Sequence, residues 1–143
     1  MNKTVTAKAT WMGNMRVEGK AQGHTLTIDQ PADMGGADAG PNPLEALLIS
    51  LGSCQATVAA IVAKQEGIEL SDFSVEMEAD YDIDFLMGKT QEGRSGFSEI
   101  RQKIFIDADL NLEEKTAFFE KVHARCPVTG SLLEETTITY NVE

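Results

Sequence analysis

The longest apolar segment of the chain runs from Asn42 to Gly67 and has the periodicity of a helix. Its large apolar residues recur at intervals of three and four, and most other positions are Ala, Gly, Ser or Thr. Asn42 and Glu45 form a capping-box pattern at its start, and Gly67 is a favourable stop. A helix with so little polar surface is typical of a protein interior, so we predict a buried central helix. Its main apolar stripe is predicted to contain Leu47, Leu51, Cys54, Val58 and Ile61.

Three segments before this helix alternate between apolar and polar residues, which is the pattern of β-strands. They are Thr4–Trp11, Met15–Lys20 and His24–Asp29, and glycine-containing turns separate them. The short connections predict an antiparallel meander. The next segment, QPADMGGADAGPNP, has no periodicity and is rich in Gly, Pro and Asp, so we predict a loop that leads into the helix.

The second half of the chain predicts two more strands, two short helices and a final strand. Asn111 and Glu114 form a second capping box, and Pro127 suits the first position of a short helix. The predicted elements are strands Phe73–Ile83 and Phe97–Asp107 joined by a glycine-rich connection at Asp84–Gly96, helices from Asn111 to about Arg125 and from Pro127 to about Glu134, and strand Thr136–Val142. We therefore predict one α+β domain, residues 1–143, with antiparallel sheets around the long helix.

Composition and charge narrow the range of partners. The formal net charge of −11 argues against nucleic acid and anionic membranes, because both require basic surface. The long helix has the length of a membrane span, but Glu45, Gln55 and its Ser and Thr residues make it too polar for one. No leader segment is evident, so we expect a cytoplasmic protein. A helix that is apolar nearly all round needs cover on every side, which favours a homodimer.

The chain has two cysteines, and their surroundings differ. Cys126 directly precedes Pro127, at the cap of the predicted short helix, where backbone amides favour the thiolate and lower the thiol pKa. Burial in the middle of the long helix is expected to raise the pKa of Cys54. Cys54 would therefore need a cation, for which Arg16 and Arg101 are candidates, in order to act as a nucleophile. The alternative is that both cysteines are small hydrophobic core residues.

Several motifs together resemble the OsmC/Ohr family, the osmotically inducible protein C and organic hydroperoxide resistance proteins. They are GPNPLEALLISLGSC on the long helix, ARCPV near the carboxyl end and Gly-x-Met-Arg at Gly13–Arg16. The resemblance covers essentially the whole chain. It implies an OsmC-like fold, an intertwined homodimer, and a thiol-dependent peroxidase that reduces organic hydroperoxides in oxidative stress defence.

The resemblance also implies a role for each candidate residue. Cys54 matches the peroxidatic cysteine, which becomes a sulfenic acid and then forms a disulfide with Cys126. A thiol or lipoyl-type reductant reopens that disulfide, and no cofactor or metal is expected. Arg16 matches the arginine that stabilises the thiolate. The family glutamate that orients this arginine is expected at the position of Leu44, whereas the carboxylate here is Glu45, about 100° further around the helix. Glu45 is thus the fourth candidate site residue, although capping alone explains its position.

Two other functions use the same residues. His123 and Cys126 have the spacing of metal ligands, but a closed zinc site would also need His24 and Cys54 to converge. A non-enzymatic dimer that binds a small molecule or senses oxidation would keep the fold and both thiols without turnover. Consumption of peroxide with repeated reduction distinguishes an enzyme from such a dimer.

Overall fold

Three antiparallel strands, β1 (Lys8–Trp11), β2 (Val17–Ala21) and β3 (His24–Ile28), form the sheet of the first unit, residues 1–49, of the computed structural model. The structure describes all 143 residues. The second turn, at Gln22 and Gly23, has positive φ at both positions, as tight hairpins require. The predicted meander is confirmed, and its strands are shorter than the alternating sequence segments.

The predicted long helix is confirmed as α1 (Pro43–Glu66). Its capping box is formed: the Glu45 backbone N–H donates to Asn42 Oδ1, the Asn42 N–H donates to Glu45 Oε2, and both distances are 2.8 Å. At the other end, Gly67 adopts a φ of 67°, the left-handed conformation expected of a helix stop. The boundary between the two compact units falls within this helix, after Ile49.

The buried face of α1 matches the predicted stripe only in part, at Leu51 and Val58. Ile61, which was placed on that stripe, is 44% exposed, and Cys54 is only half-buried. Gln55 instead lies at the centre of the buried face and is 0% exposed. A buried amide with hydrogen-bond partners explains why a polar residue can occupy this face. The buried positions of α1 are Leu51, Gln55, Val58, Ala59, Val62 and Ala63.

The second unit, residues 50–143, contains a two-stranded antiparallel sheet and three further helices. Its core consists of one face of α1 and apolar residues of the later helices, including Phe118, Val122 and Cys126. The α+β fold with antiparallel sheets is thus confirmed. The elements are β4 (Asp72–Asp80), α2 (Ile83–Leu86), β5 (Glu99–Asp107), α3 (Leu112–Arg125) and α4 (Pro127–Leu133).

Local signals account for most of these bounds. The capping box of α3 is formed, with 2.9 Å from the Glu114 N–H to Asn111 Oδ1 and 2.9 Å from the Asn111 N–H to Glu114 Oε2. The short helix α2 was not predicted, because the sequence was interpreted as a connecting loop. The Asp82 carboxylate caps it by accepting hydrogen bonds from the backbone N–H groups of Asp84 and Phe85.

The predicted strand at Thr136–Val142 is wrong for the isolated chain. These residues form no strand, although Ile138, Tyr140 and Val142 alternate with polar residues and are 84%, 89% and 89% exposed. A strand requires a neighbour that satisfies its backbone groups, and no strand of the chain pairs with this segment.

The membrane argument from the sequence also needs a correction. Helix α1 is long and apolar enough, by length and composition alone, to cross a membrane. Its central polar residue, Gln55, has no exposed surface and is hydrogen-bonded within the second unit, so that side chain does not make the helix surface more polar. Core helices of soluble proteins pass the same test of length and composition.

Candidate functional site

The structure brings the two cysteines together in the second unit. Cys126 is the residue between α3 and α4, and it is 2% exposed. The half-buried Cys54 of α1 packs against the core cluster that includes Cys126. Both are free thiols, and they lie close enough for each to affect the pKa of the other. Two cysteines distant in the sequence therefore lie at one place in the second unit.

Hydrogen bonds at the start of α4 favour the thiolate of Cys126. Burial raises its pKa, but hydrogen bonds from the side chain and backbone of Thr129, from the Cys54 thiol and from the Val128 backbone outweigh this effect. The net result is a Cys126 pKa below its ordinary value, as the cap position predicted. The Thr129 N–H lies 3.5 Å from Cys126 Sγ.

The pKa of Cys54 moves in the opposite direction. Burial is the main cause of its increase, and the hydrogen bond with Cys126 contributes further, while the Val128 backbone has a smaller opposing effect. The two thiol pKa values therefore shift in opposite directions, with that of Cys126 lowered and that of Cys54 raised. The arrangement can hold one negative charge on Cys126 with the proton on Cys54.

A row of hydrogen-bonded polar side chains, which sequence reasoning missed, lies beside Cys126. The Gln55 and Gln102 amides exchange two hydrogen bonds, 3.0 Å from Gln55 Nε2 to Gln102 Oε1 and 2.7 Å from Gln102 Nε2 to Gln55 Oε1. Gln55 Nε2 also donates to Thr129 Oγ1 at 3.5 Å. A signal was available in the sequence, since Gln55 is a lone amide between apolar residues that recur at helical spacing.

The other two candidates, Arg16 and Glu45, lie in the first unit. Arg16 is exposed and lines a cavity of about 310 Å³ together with Asp29 and Gly36. Glu45 is engaged in the capping box, which is the role that its position predicted. Their involvement with Cys54 stays a prediction.

Asp29 is a buried carboxylate near Arg16 that sequence reasoning also missed. It is 1% exposed and accepts hydrogen bonds from the N–H groups of Gln30, Ala37 and Ala39 at 2.8, 3.2 and 3.2 Å. The backbone hydrogen bond from Gln30 is the main cause that lowers its pKa, burial opposes this, and the Arg16 charge contributes. An added Cβ at Gly36 would lie 2.8 Å from Asp29 Oδ1, so this loop position requires glycine.

Arg101, the alternative cation, is bound to carboxylates on the β4–β5 sheet. Its guanidinium forms ion pairs with Glu78, Asp80 and Glu99. Arg16, in contrast, forms no ion pair with a carboxylate within 4.0 Å; the six pairs present involve other cations. Arg101 is therefore already engaged by three carboxylates, whereas Arg16 is not ion-paired within this distance.

The zinc site considered from the sequence is not assembled. The His123 ring packs against Phe119, with ring centroids 6.1 Å apart, and His24 lies on β3. No three His, Cys, Asp or Glu side chains of the chain are grouped so that they would hold a metal ion.

Known proteins share the fold and the segment that contains both cysteines. Residues 35–141 match the family described as OsmC-like protein. The structure is similar to that of an OsmC-like protein from Mycoplasma pneumoniae, with a TM-score of 0.81 and 22% identity, over 93% of this chain and 89% of that chain.

Two proteins called organic hydroperoxide resistance proteins are also similar. For the one from Legionella pneumophila, called OsmC and a predicted redox protein, the TM-score is 0.67 and the identity 26%, over 91% of this chain and 89% of that chain. For the one from Elizabethkingia anophelis, the TM-score is 0.66 and the identity 21%, over 92% of this chain and 89% of that chain. None of the curated proteins matches the sequence.

Proposed function

Because the chain belongs to the family of OsmC-like proteins, we propose that it is a thiol-dependent peroxidase that reduces organic hydroperoxides. The observation that supports this proposal best is that two free thiols, Cys54 and Cys126, lie in the same core cluster and affect each other's pKa. The names of two similar proteins, organic hydroperoxide resistance proteins, point to the same chemistry. A role in stress defence and a cytoplasmic location belong to the proposal.

The proposed reaction begins at Cys54. Cys126 has a lowered pKa and lies near Cys54, so it is proposed as the base that takes the Cys54 proton. The Cys54 sulfur forms a bond to one peroxide oxygen while the O–O bond breaks, and the leaving alkoxide takes a proton to become an alcohol. Cys54 is thereby oxidised to a sulfenic acid.

Cys126 completes the cycle by attacking the Cys54 sulfur. The S–S bond forms while the S–O bond breaks, and the leaving hydroxide takes a proton to become water. An external dithiol, of the lipoyl or a related type, then reduces the disulfide and is itself oxidised to a disulfide. The low pKa of Cys126 makes it the better leaving group, so attack of the reductant on Cys54 is favoured.

Arg16 is proposed to stabilise the Cys54 thiolate. A buried thiol with a raised pKa needs a cation to ionise at neutral pH. Arg16 forms no ion pair within 4.0 Å, although its charge acts on the nearby Asp29, and the family motif around it, Gly-x-Met-Arg, supports this role. Glu45 is the nearest residue in sequence to the family glutamate, but its carboxylate already caps α1.

We further propose that the active protein is a homodimer that binds neither nucleic acid nor membranes. The exposed positions of α1 recur at helical spacing, and they include Ile49, 56% exposed, and Ile61, 44% exposed. The apolar side chains of Thr136–Val142 are also exposed. A second copy of the chain would cover both surfaces.

Single serine variants test the peroxidase proposal. With a slight excess of cumene hydroperoxide, Cys126→Ser is expected to consume one equivalent and to leave a sulfenic acid on Cys54 that dimedone traps. Cys54→Ser is expected to stay reduced under the same treatment. If Cys54→Ser reacts as fast as the wild type, the two roles are reversed.

Addition of a dithiol to the wild type distinguishes the enzyme from the alternative. Repeated consumption of peroxide supports the enzyme. Oxidation that occurs once, without turnover, supports a redox-sensing dimer, which the departure from the family pattern at Leu44 favours. Absence of any oxidation rules out both and leaves a binding protein.

A further inference from the structure

Asp29 is a buried carboxylate to which the peroxidase proposal assigns no role. It directly follows β3 and is 1% exposed, and both of its oxygens accept hydrogen bonds from the backbone. Oδ1 accepts from the Gln30 N–H at 2.8 Å, and Oδ2 accepts from those of Ala37 and Ala39 at 3.2 Å each. Burial of a carboxylate is costly unless such donors replace water. Asp29 therefore joins the beginning of the loop that follows it, residues 30–41, to its later part.

Backbone hydrogen bonds close the same loop. The Asp38 N–H donates to the Gln30 carbonyl oxygen at 3.0 Å, and the Asp29 N–H donates to that of Pro41 at 3.1 Å. At Gly36 the backbone passes so near Gln30 that an added Cβ would overlap the Gln30 carbonyl oxygen. These contacts fix the path of the loop around the Asp29 side chain.

This loop and the turn between β1 and β2 line one cavity of about 310 Å³. The Met15 side chain connects the two segments, because an added Cβ at Gly35 would lie 3.8 Å from Met15 Cε. Met15 directly precedes Arg16, so the loop supports the turn next to the arginine. The residues that line the cavity are Met12, Gly13, Asn14 and Arg16 of the turn, and Asp29, Gly35, Gly36 and Ala37.

The turn fixes the backbone of Arg16 but not its charged end. The Met12 N–H donates to the Arg16 carbonyl oxygen at 2.8 Å, and the Arg16 N–H donates to that of Gly13 at 3.0 Å. The guanidinium forms no ion pair within 4.0 Å. Asp29 carries the one carboxylate among the residues that line the cavity with Arg16. Opposite charges in one small cavity attract each other.

We propose that Asp29 is a positioning residue for Arg16, because its carboxylate holds the loop on which the turn that carries Arg16 rests. The negative charge of Asp29 also favours a position of the guanidinium at the cavity. The consequence for the Cys54 thiolate rests on the proposed function of Arg16, whereas the positioning itself does not.

Amide hydrogen exchange, measured by NMR on the whole chain, tests the positioning. Asp29→Asn keeps the size of the side chain but has one acceptor atom in place of two, so at least one backbone N–H loses its partner. We expect the three N–H groups bonded to Asp29 to exchange about tenfold faster. The hydrogen-bonded N–H groups of Met12 and Arg16 in the turn should also exchange faster, because the turn loses its support.

Asp38→Asn is the matched control. It removes a carboxylate from the same loop and leaves the hydrogen bonds of Asp29 intact. Asp38 has a φ of 55°, a conformation that asparagine also adopts, so the backbone is not strained. This variant should leave exchange unchanged in both the loop and the turn. If Asp29→Asn does not fold, Gly36→Ala displaces the loop while the carboxylate stays, and it should speed exchange in the turn in the same way.

A second measurement tests whether Asp29 acts through Arg16. It is the alkylation of Cys54 by iodoacetamide at pH 7 in a Cys126→Ser background. Removal of a negative charge would by itself favour the Cys54 thiolate and speed the reaction, whereas displacement of Arg16 would slow it. We expect Asp29→Asn to slow alkylation about tenfold. Combined with Arg16→Ala, it should cause no further slowing, since a residue that acts through Arg16 has no effect without it.

The proposal is overturned if exchange becomes faster in the loop but not at Met12 and Arg16, because Asp29 would then stabilise the loop alone. Equal slowing of alkylation by Asp29→Asn with and without Arg16 would also overturn it. If Arg16→Ala itself leaves alkylation of Cys54 unchanged, the proposed function of Arg16 fails, and exchange in the turn still decides whether Asp29 positions it.

Discussion

At the scale of single residues, different surroundings make the two thiols unequal. Burial is the main cause that raises the pKa of Cys54, whereas the hydrogen bonds at the start of α4 lower the pKa of Cys126 despite its burial. The sequence predicted both directions, because burial on a helix and placement at a cap are local properties. It did not predict that the two thiols lie together except through the family resemblance, since this depends on how α1 and α4 pack. Gln55 was missed for the same reason.

The first prediction at this scale concerns the cation for Cys54. We expect Arg16→Ala to raise the pKa of the Cys54 thiol and to slow its alkylation by iodoacetamide at pH 7 about tenfold. The physical reason is that the loss of a nearby positive charge disfavours the thiolate. The rate is measured in a Cys126→Ser background, so that only one thiol reacts.

The matched control is Arg101→Ala, which removes a cation that is already bound to Glu78, Asp80 and Glu99. This variant should leave the alkylation rate of Cys54 unchanged. An effect of Arg101→Ala that equals or exceeds that of Arg16→Ala would assign the cation to the β4–β5 sheet and contradict the choice of Arg16.

At the scale of elements, the success of the sequence predictions follows from how local each signal is. Helices α1, α3 and α4 were predicted within about two residues because their caps, Asn42, Asn111 and Cys126-Pro127, lie beside them in the chain. The buried face of α1 was predicted only in part: Leu51 and Val58 are buried as expected, whereas Ile61 is exposed. Gln55 is buried and was not predicted to be. Which face of a helix is buried depends on its neighbours, and periodicity alone does not fix the rotation of the helix about its axis.

The two capping boxes allow a matched test of Glu45. We expect Glu45→Gln to keep most of the peroxide reactivity, because glutamine still offers an oxygen to the Asn42 N–H. Glu45→Ala should lower the free energy of unfolding by about 1 kcal/mol, the usual loss for a helix cap. Denaturant unfolding and peroxide consumption are measured on the same samples.

Glu114 is the control, because its capping box at α3 has nearly the same geometry. Glu114→Gln and Glu114→Ala should reproduce the stability effects of the Glu45 variants. Loss of reactivity in folded Glu45→Gln, with Glu114→Gln fully active, would show that Glu45 has a catalytic role in addition to its cap.

At the scale of the whole molecule, the single chain leaves large apolar side chains exposed, and nothing within the chain covers them. The side chains of Ile138 and Tyr140 have the alternation of a strand but no neighbouring strand, and they are 84% and 89% exposed. Unpaired segments of this kind are templates for pairing with another chain. Sequence alternation predicted a strand here that the single chain does not form, because no strand within the chain pairs with this segment.

The last prediction is therefore about assembly. If a second copy covers the Thr136–Val142 segment, the wild type should sediment at about twice 15.5 kDa at micromolar concentration. Tyr140→Asp would bury a charge in that interface and should shift the protein to the 15.5 kDa species. Val5→Asp is the matched control, because Val5 is also 89% exposed but lies outside the segment, and this variant should remain dimeric.

A wild type that sediments as a single chain would contradict the dimer. A Tyr140→Asp dimer as stable as the wild type would instead restrict the interface to other surfaces, such as the exposed face of α1 with Ile49 and Ile61.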